Sequence, residues 1–455
     1  MNLGIGIFAF LAFIAFVILW YLALKRSIAE AMLLGLLVCC AFIGVGNIPA
    51  TFATSLKDAM TEDVMAAIML FTIMVSIMTQ TGIITRLVNI LNAVLGRLRG
   101  GPAYVSACAS ALFGMVSGAS SANSATVGSI TIPWMRESGC SKEVAATMNT
   151  GNAGLGICIP PSSSMFLMLG LPAVAGVVEA GDLYFALLCG GLWTLLYRLI
   201  LVRYYVHKYH IPPIDRSKIS PFGQAIRQGG SSLFMFLGII IPLVVITGPI
   251  ATLLEGISSF GEDGVDAMNI IIWVPVLIML ICLIEGRKML PKTFEGWKKL
   301  LLSTAKQCCN CGAVSLFAMA SSNALNQTGF GEDMTTILSA LTLPKFVLIL
   351  IIGCVIALAA GPMNATSTTV SLGPVAYSAM VSVGVPPVTA IVAYLIFAST
   401  EGASPPMSSP IFVSSSIAGL DDVSVMFKPL ILHYCISLVF VGVLVAMGFL
   451  PIVGG

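Results

Sequence analysis

Apolar stretches of about 20 residues recur along the whole chain, and a helix of that length crosses the hydrocarbon core of a bilayer. Only 9% of the residues are charged and 58% are hydrophobic. A soluble domain carries roughly 25% charged residues on its hydrated surface. The alternating polarity of a membrane barrel does not occur. The sequence therefore predicts an all-α polytopic membrane protein that is embedded in the lipid bilayer.

Two kinds of segment interrupt the predicted spans. Stretches at about 81–99 and 287–300 are amphipathic and basic, which is typical of helices at a membrane surface. Regions at about 118–181 and 361–419 are rich in Gly, Ser and Pro, and their freed backbone groups must line a protein cavity rather than face lipid. The predicted spans are 3–24, 28–48, 64–80, 101–117, 183–206, 231–251, 268–285, 307–325, 345–360 and 428–449.

The distribution of Lys and Arg predicts the orientation, because these residues mark cytoplasmic loops. Lys25 and Arg26 follow the first span, which is expected to be a retained helix and not a signal peptide. Segments 209–230 and 286–306 are basic, whereas 255–266 is acidic and lacks Lys and Arg. We expect the N-terminus and the acidic segment outside, and both basic segments inside.

The two interrupted regions resemble each other in sequence. The first begins SGASSANSATVGSITIP and the second AGPMNATSTTVSLGP, and Gly118 lies 58 residues before Gly176, as Gly361 does before Gly419. The last helix of the first copy ends in a basic loop, whereas that of the second begins at Lys428. Residues 1–208 and 231–455 are therefore predicted to be two inverted repeats, joined by the basic cytoplasmic linker 209–230. Inverted repeats with broken helices are typical of secondary transporters.

Polar clusters in both interrupted regions offer neutral hydroxyl and amide oxygens, which suit a sodium ion. Close packing of helices through small residues is the alternative for either cluster alone. Matching clusters in both repeats favour cation binding. The candidate cation ligands are Ser120, Ser121 and Asn123 in the first region, and Asn364, Thr366, Thr369 and Glu401 in the second.

Two proline pairs, Pro160–Pro161 and Pro405–Pro406, are predicted to break a helix inside the membrane. A broken helix presents free N–H groups and a positive dipole end, which suit an anionic substrate. A kink without binding is the alternative. The candidate substrate residues are Asn123, Ser162, Ser163, Asn364, Ser404 and Ser408.

Glu401 is the one acidic residue deep in the second interrupted region. A carboxylate at membrane depth indicates an ion or proton path. The alternative is a carboxylate that reaches water at a loop.

The sequence contains no Walker motif, catalytic triad or HExxH site, so no enzyme activity and no cofactor are predicted. Cys308, Cys309 and Cys311 lack a partnering His, so no metal other than the coupling sodium is expected. No basic run suggests nucleic acid binding.

Several motifs resemble those of a known family. These are TGIITRLVNILNAVLGRLRGGPAYVSACASALFGMVSG at 81–118, then Pro133 and IPPS at 159–162. In the second half they are Pro374, VPP at 385–387 and SPP at 404–406. Together they resemble the large, DctM-type permease subunit of TRAP transporters, within the ion transporter superfamily.

The resemblance implies a sodium-driven secondary transporter that imports an organic acid across the bacterial cytoplasmic (inner) membrane. It implies a re-entrant helical hairpin in each repeat, beside the discontinuous helix, and an elevator motion. It also implies two partners, a small four-helix membrane subunit, expected as a separate chain, and a periplasmic solute-binding protein.

The chain departs from the family pattern at four positions. Asn123 and Asn364 stand where the family usually has Asp, and Phe397 and Glu401 where it generally has Asn and Gly. The site therefore loses two carboxylates and gains one. The alternatives to a TRAP subunit are a stand-alone ion-coupled organic-anion carrier without a binding protein, and a passive channel or assembly subunit.

Overall fold

The computed structural model describes residues 4–20, 24, 26–61, 63–171, 173–213, 219–246, 253, 257, 270–330, 333, 343–406 and 408–454. Within these residues the regular structure is helical, and the only strand-like pairing is one bridge between Arg99 and Pro213. The prediction of an all-α protein is confirmed. All four acidic residues of the predicted outer segment 255–266, and part of the linker 209–230, lie outside the described residues.

The helices are numbered in chain order over the described residues. In the first half they are α1 (Ile5–Ile18), α2 (Ile28–Ile43), α3 (Ile48–Thr61), α4 (Asp63–Gln80), α5 (Ile83–Leu95), α6 (Gly101–Ser117), α7 (Ser120–Glu137), α8 (Lys142–Ala153), α9 (Ser163–Leu169) and α10 (Ala180–Lys208). In the second half they are α11 (Phe222–Gly229), α12 (Leu237–Ile246), α13 (Ile270–Glu285), α14 (Phe294–Gln327), α15 (Lys345–Ser382), α16 (Pro387–Ala398), α17 (Ser409–Ala418) and α18 (Val423–Ala446).

Three stretches of the described chain are long and apolar enough to cross a bilayer as single helices, namely Ala180–Lys208, Phe222–Val245 and Val423–Ala446. A fourth candidate is a bent pair, Ile68–Gln80 and Ile83–Leu95, whose axes differ by 65°. The bend lies where the sequence changes from a predicted span to the amphipathic stretch 81–99. Shorter apolar helices supply the rest of the membrane-embedded structure.

The first hairpin (residues 101–137) consists of α6 and α7. The chain reverses at Gly118, whose φ of 60° is left-handed and favours glycine. Ala103 near its start packs in one core with Ile132 and Met135 near its end.

The second hairpin (Lys345–Ser382) is helical over all of its 38 residues, which together are α15. A straight helix of that length would measure about 57 Å. Nevertheless, the Lys345 ammonium donates a hydrogen bond of 2.9 Å to the Gly384 carbonyl, and Leu348 packs on Ala379. The segment therefore folds back on itself, as the first hairpin does. The side chains of residues 362–364, around its middle, are outside the described set.

Each half also contains one interrupted helix. In the first half α8 passes into a 3-10 helix, Gly154–Cys158, and the chain resumes as α9. In the second half α16 passes into a 3-10 helix, Ser399–Ala403, and resumes as α17. We call residues 154–162 the first break and residues 399–406 the second break. The Pro160–Pro161 and Pro405–Pro406 peptide bonds within them are both cis.

Helix α16 lies at the centre of the largest core. Residues 390–398 are each 0% exposed, so this helix contacts protein on every side. The Phe397 ring packs against Gly353 of the second hairpin and Gly442 of α18, where a side chain on either glycine would collide with it. The departure from the family pattern at Phe397 is therefore a packing feature of the core.

Two sequence-based helix assignments are wrong. Segments 287–300 and 307–325 are predicted as separate elements, but α14 begins at Phe294, within the first, and continues through the second, because a change in polarity is not a helix breaker. Helix α3 was not predicted at all. Its buried residues, Thr51, Ser55 and Ala59, are small or polar and recur every fourth residue, so they form a packed stripe without an apolar signal.

Candidate functional site

The two breaks touch each other at the centre of the protein. A Cβ atom on Gly154 would run into the carbonyl oxygen of Ser399, and one on Gly402 would lie 2.6 Å from the Gly154 nitrogen. Backbone therefore meets backbone at this point. The helices of the two halves are interrupted at the same place in space, where carbonyl and N–H groups are released from helical bonding.

The tip of each hairpin faces the break of its own half. A side chain on Gly118 would run into the Ser163 hydroxyl, and one on Gly361 would lie 2.8 Å from Cβ of Ser404. Ser163 and Ser404, which are predicted to bind substrate, thus lie next to the hairpin tips, which carry residues predicted to bind the cation. The fold brings the two predicted sites together around the crossing of the breaks.

Glu401 lies in the second break, and its side chain is only 9% exposed. Its carboxyl group has two polar neighbours, the Ser120 hydroxyl of the first hairpin and the backbone N–H of Ala365 in the second hairpin. The Ser120 oxygen lies close to the carboxyl without forming a hydrogen bond of good geometry. One carboxylate therefore contacts both hairpins.

No Lys or Arg among the described residues forms an ion pair with Glu401. The ion pair that these residues do form joins Arg26 and Glu30 at the surface. A buried carboxylate without a cation is unfavourable by several kcal/mol, so this site is suited to receive a positive charge.

A network of side-chain hydrogen bonds joins α7, α8 and α17 across the two halves. The Asn149 amide donates to the Ser124 carbonyl at 3.1 Å, to the Ser124 hydroxyl at 3.0 Å and to the Ser414 hydroxyl at 2.9 Å. The two hydroxyls are themselves 2.8 Å apart. Asn149 is not among the site residues predicted from the sequence. The polar run TMNTGNAG at 147–154, ahead of the first proline pair, is the feature that could have indicated it.

The amide of Asn123 holds the first hairpin against the first break. Its nitrogen donates to the Ser110 carbonyl at 3.0 Å and to the Ala153 carbonyl at 2.8 Å. Its oxygen is buried and has no hydrogen-bond partner among the described residues, and the same is true of the Asn152 amide oxygen. These free oxygens are of the type that binds a desolvated cation.

Three predicted substrate hydroxyls are bonded to the backbone. That of Ser162 donates to the Ile157 carbonyl at 2.9 Å and caps α9. That of Ser404 lies 2.9 Å from the carbonyls of Ala357 and Thr400, and that of Ser408 donates to the Gly402 carbonyl at 3.1 Å.

The other predicted residues differ in exposure. Ser121 is exposed, Ser163 and Thr366 are half-buried, and Thr369 is buried beside the Tyr394 hydroxyl. The side chain of Asn364 lies outside the described residues, so its predicted role has no structural description.

Arg198 is a second buried charge, which the sequence analysis did not select. Its guanidinium is 0% exposed and lies 5.4 Å from the centre of the Tyr434 ring, a cation–π contact. None of its three nitrogens has a hydrogen-bond partner in the described structure. The sequence feature that could have indicated this residue is an Arg inside the predicted apolar span 183–206. It lies near Cys158, at the end of the 3-10 helix of the first break.

Comparison with known sequences agrees with this arrangement. The sequence model of the family described as tripartite ATP-independent periplasmic transporter, DctM component, matches residues 5–451. The chain belongs to this family. The resemblance stated from the motifs is thus confirmed, and the protein is a TRAP permease subunit and not an enzyme. Large subunits of this family work with a small membrane subunit and a periplasmic binding protein.

Relatives with assigned names are distant but extend over most of the chain. The C4-dicarboxylate TRAP transporter large permease protein DctM of Pseudomonas aeruginosa is 24% identical over 370 residues, 81% of each chain. The isethionate TRAP transporter permease protein DctMQ of Oleidesulfovibrio alaskensis is 24% identical over 90% of this chain and 61% of its own. The crystal structure of the YdaH transporter of Alcanivorax borkumensis superposes with a TM-score of 0.63 at 16% identity, over 89% of each chain. That last likeness is one of fold alone.

Proposed function

We propose that this TRAP permease subunit imports a small organic acid together with a coupling cation, which we infer to be sodium. The observation that carries the proposal is the position of Glu401, a buried carboxylate that contacts both hairpins. A cation bound there neutralises the carboxylate and can be coordinated by the Ser120 oxygen, while the Ala365 N–H stays directed at the carboxylate. Ion binding would then favour closure of both hairpins, which is how ion and substrate movement become coupled.

The proposed cation ligands are oxygen atoms close to this carboxylate. Glu401 supplies the negative charge, and Ser120 lies beside it. Ser121, Asn123, Asn364, Thr366 and Thr369 remain proposed ligands from the sequence. Neutral oxygens with one carboxylate suit a monovalent cation, because they replace its hydration shell while adding one charge.

The proposed substrate site lies where the breaks and the hairpin tips meet. Ser163 and Ser404 are next to those tips, and Ser162, Ser408, Asn123 and Asn364 complete the set proposed from the sequence. Several of these hydroxyls are bonded to backbone in this conformation, so substrate has to replace those bonds. The class of substrate is inferred from relatives named for C4-dicarboxylates and isethionate, which are organic anions.

We further propose that the two halves are inverted repeats with the N-terminus outside and the linker 209–230 inside. Support comes from the two hairpins, the two breaks and the Lys/Arg distribution. An elevator motion would carry the hairpins and breaks across the membrane together. Single cysteines in a cysteine-free variant test the orientation. Labelling of residue 223 from outside by an impermeant reagent would contradict it.

Uptake into proteoliposomes tests the coupling ion. The chain is reconstituted with its small membrane subunit, and uptake of a labelled acid is followed with its periplasmic binding protein present. The acid to be labelled is first chosen by a thermal-shift screen, as the one among succinate, isethionate and related acids that stabilises the purified protein most. We expect uptake to require an inward sodium gradient and to survive a protonophore. Uptake that is unchanged in choline and abolished by the protonophore would show proton coupling instead.

Uptake measured without the periplasmic binding protein distinguishes a TRAP subunit from the second candidate function, a stand-alone carrier. A TRAP subunit should lose uptake without it. Persisting uptake would identify a stand-alone carrier, the alternative left open by the sequence.

A further inference from the structure

A basic cavity of about 520 Å³ lies at the end of α10, away from the crossing of the breaks. Four basic side chains line it, those of Arg99, Arg203, His207 and His210. It is open to solvent, and all four basic residues are exposed. Residue 99 pairs with Pro213 in the antiparallel bridge, so the segment after α10 folds back onto the start of the first hairpin.

The positive charge of this cavity is not neutralised by the described residues. No Asp or Glu of the described residues lines it, and neither Arg99 nor Arg203 forms an ion pair with any of them. Both guanidinium groups line the same open cavity, so an anion in it is attracted by both. Guanidinium groups bind phosphate oxygens in bidentate geometry, and the imidazoles add N–H donors.

The position and the remaining walls of the cavity narrow the class of anion. The cavity follows a 29-residue helix that is long and apolar enough to span the bilayer, so it lies at the level of a membrane surface. Its other lining residues, which include Ile211 and Pro213, are apolar. Its volume exceeds what a bare phosphate needs, since a water occupies about 30 Å³. The phosphodiester of an anionic phospholipid fits the charge, and its acyl chains can contact the apolar lining residues.

We propose that this cavity binds a phosphate group, carried either by an anionic phospholipid headgroup or by a soluble phosphate anion. The ligand would connect the foot of the first hairpin, at Arg99, with the end of α10, at Arg203. This site does not depend on the proposed transport function, because it shares no residue with the crossing of the breaks.

Thermal melting of the purified full-length chain in detergent tests the proposal. The added probes are dioleoyl-phosphatidylglycerol, dioleoyl-phosphatidylcholine and inorganic phosphate. The double variant Arg99→Gln with Arg203→Gln removes both guanidinium groups. Arg97→Gln is the matched control, because Arg97 is exposed, as are Arg99 and Arg203, but does not line the cavity.

We expect phosphatidylglycerol or inorganic phosphate to stabilise the wild-type chain, and phosphatidylcholine to have no effect. Stabilisation by phosphatidylglycerol alone identifies a lipid site, and stabilisation by inorganic phosphate identifies a soluble anion. The double variant should bind about 30-fold more weakly, since each basic residue at a membrane surface contributes roughly a factor of five to affinity. Arg97→Gln should bind like wild type.

Two results would overturn the proposal. One is that neither phosphate-bearing probe stabilises the wild-type chain. The other is that the double variant responds as the wild type does. If the double variant does not fold, Arg99→Gln alone decides the matter, with an expected loss of about fivefold.

Discussion

The first and second breaks share a backbone arrangement but differ in their chemistry. Each has a five-residue 3-10 helix followed by a proline pair, and each faces the tip of a hairpin. The first break contains no charged residue, and just before it the Asn123 amide of the first hairpin donates to the Ala153 carbonyl. The second break carries Glu401. The common geometry brings the two breaks into contact, and the difference between them places a negative charge on the second one.

The serines at the two breaks are also bonded differently. Ser162 bonds within its own half-helix, to Ile157 and Met165. Ser404 bonds to Ala357, on the first arm of the second hairpin. Ser162 therefore bonds within the first break and to α9, whereas Ser404 also ties the second break to the second hairpin, whose Ala365 N–H neighbours Glu401. The first break contacts its own hairpin through backbone packing of Gly156 on Gly114.

The largest expected effect comes from the contact between the breaks. Gly402→Ala places a methyl group 2.6 Å from the Gly154 nitrogen, so one backbone must move. We expect a loss of stability of about 3 kcal/mol, as for an overpacked core. Gly223→Ala is the control, because its Cβ would meet no atom within 4 Å. Melting of both variants in detergent checks this, and a Gly402→Ala variant as stable as wild type would show that the breaks do not touch.

The next effect concerns the bonds that join the halves. Asn149→Leu leaves the Ser124 and Ser414 hydroxyls without their amide donor, and we expect a loss of about 2 kcal/mol. Asn152→Leu is the matched control on the same helix. Its amide is buried without a hydrogen-bond partner among the described residues, so its removal should leave stability in sodium-free buffer unchanged or higher. Equal losses in both variants would argue against the network.

A smaller effect isolates a single bond between the halves. The hydroxyls of Ser124 and Ser414 are 2.8 Å apart. A double-mutant cycle of Ser124→Ala and Ser414→Ala should give a coupling energy of about 1 kcal/mol. Additive losses, with no coupling, would mean that this pair of hydroxyls contributes nothing to the contact. The bond from Arg136 to the Ala418 carbonyl would still join α7 and α17.

Much of the fold could be predicted from the sequence, because it follows from local signals. The scarcity of charge predicts membrane helices, and the proline pairs predict both breaks. Helix α3 could not be predicted, since Thr51 and Ser55 pack by size rather than by hydrophobicity.

The candidate site was predicted less completely. The sequence identified Glu401 as an acidic residue in the broken region, but not its neighbours, because Ser120 and Ala365 come from separate hairpins that only the tertiary structure brings together. Asn149 was missed for the same reason. Its partners Ser124 and Ser414 are distant in the chain, and the polar run that contains Asn149 does not reveal them. Arg198 could have been found from its apolar neighbours along the chain.

The central claim is that Glu401 is the charged ligand of a cation site, and sodium titration of thermal stability tests it most directly. Wild type, Glu401→Gln and the control Glu179→Gln, whose carboxylate is exposed at the start of α10, are melted in detergent. Sodium replaces choline at constant ionic strength. We predict that sodium stabilises wild type and Glu179→Gln alike, and that Glu401→Gln binds it about tenfold more weakly, a loss of about 1.4 kcal/mol. An unchanged sodium affinity in Glu401→Gln would contradict the claim.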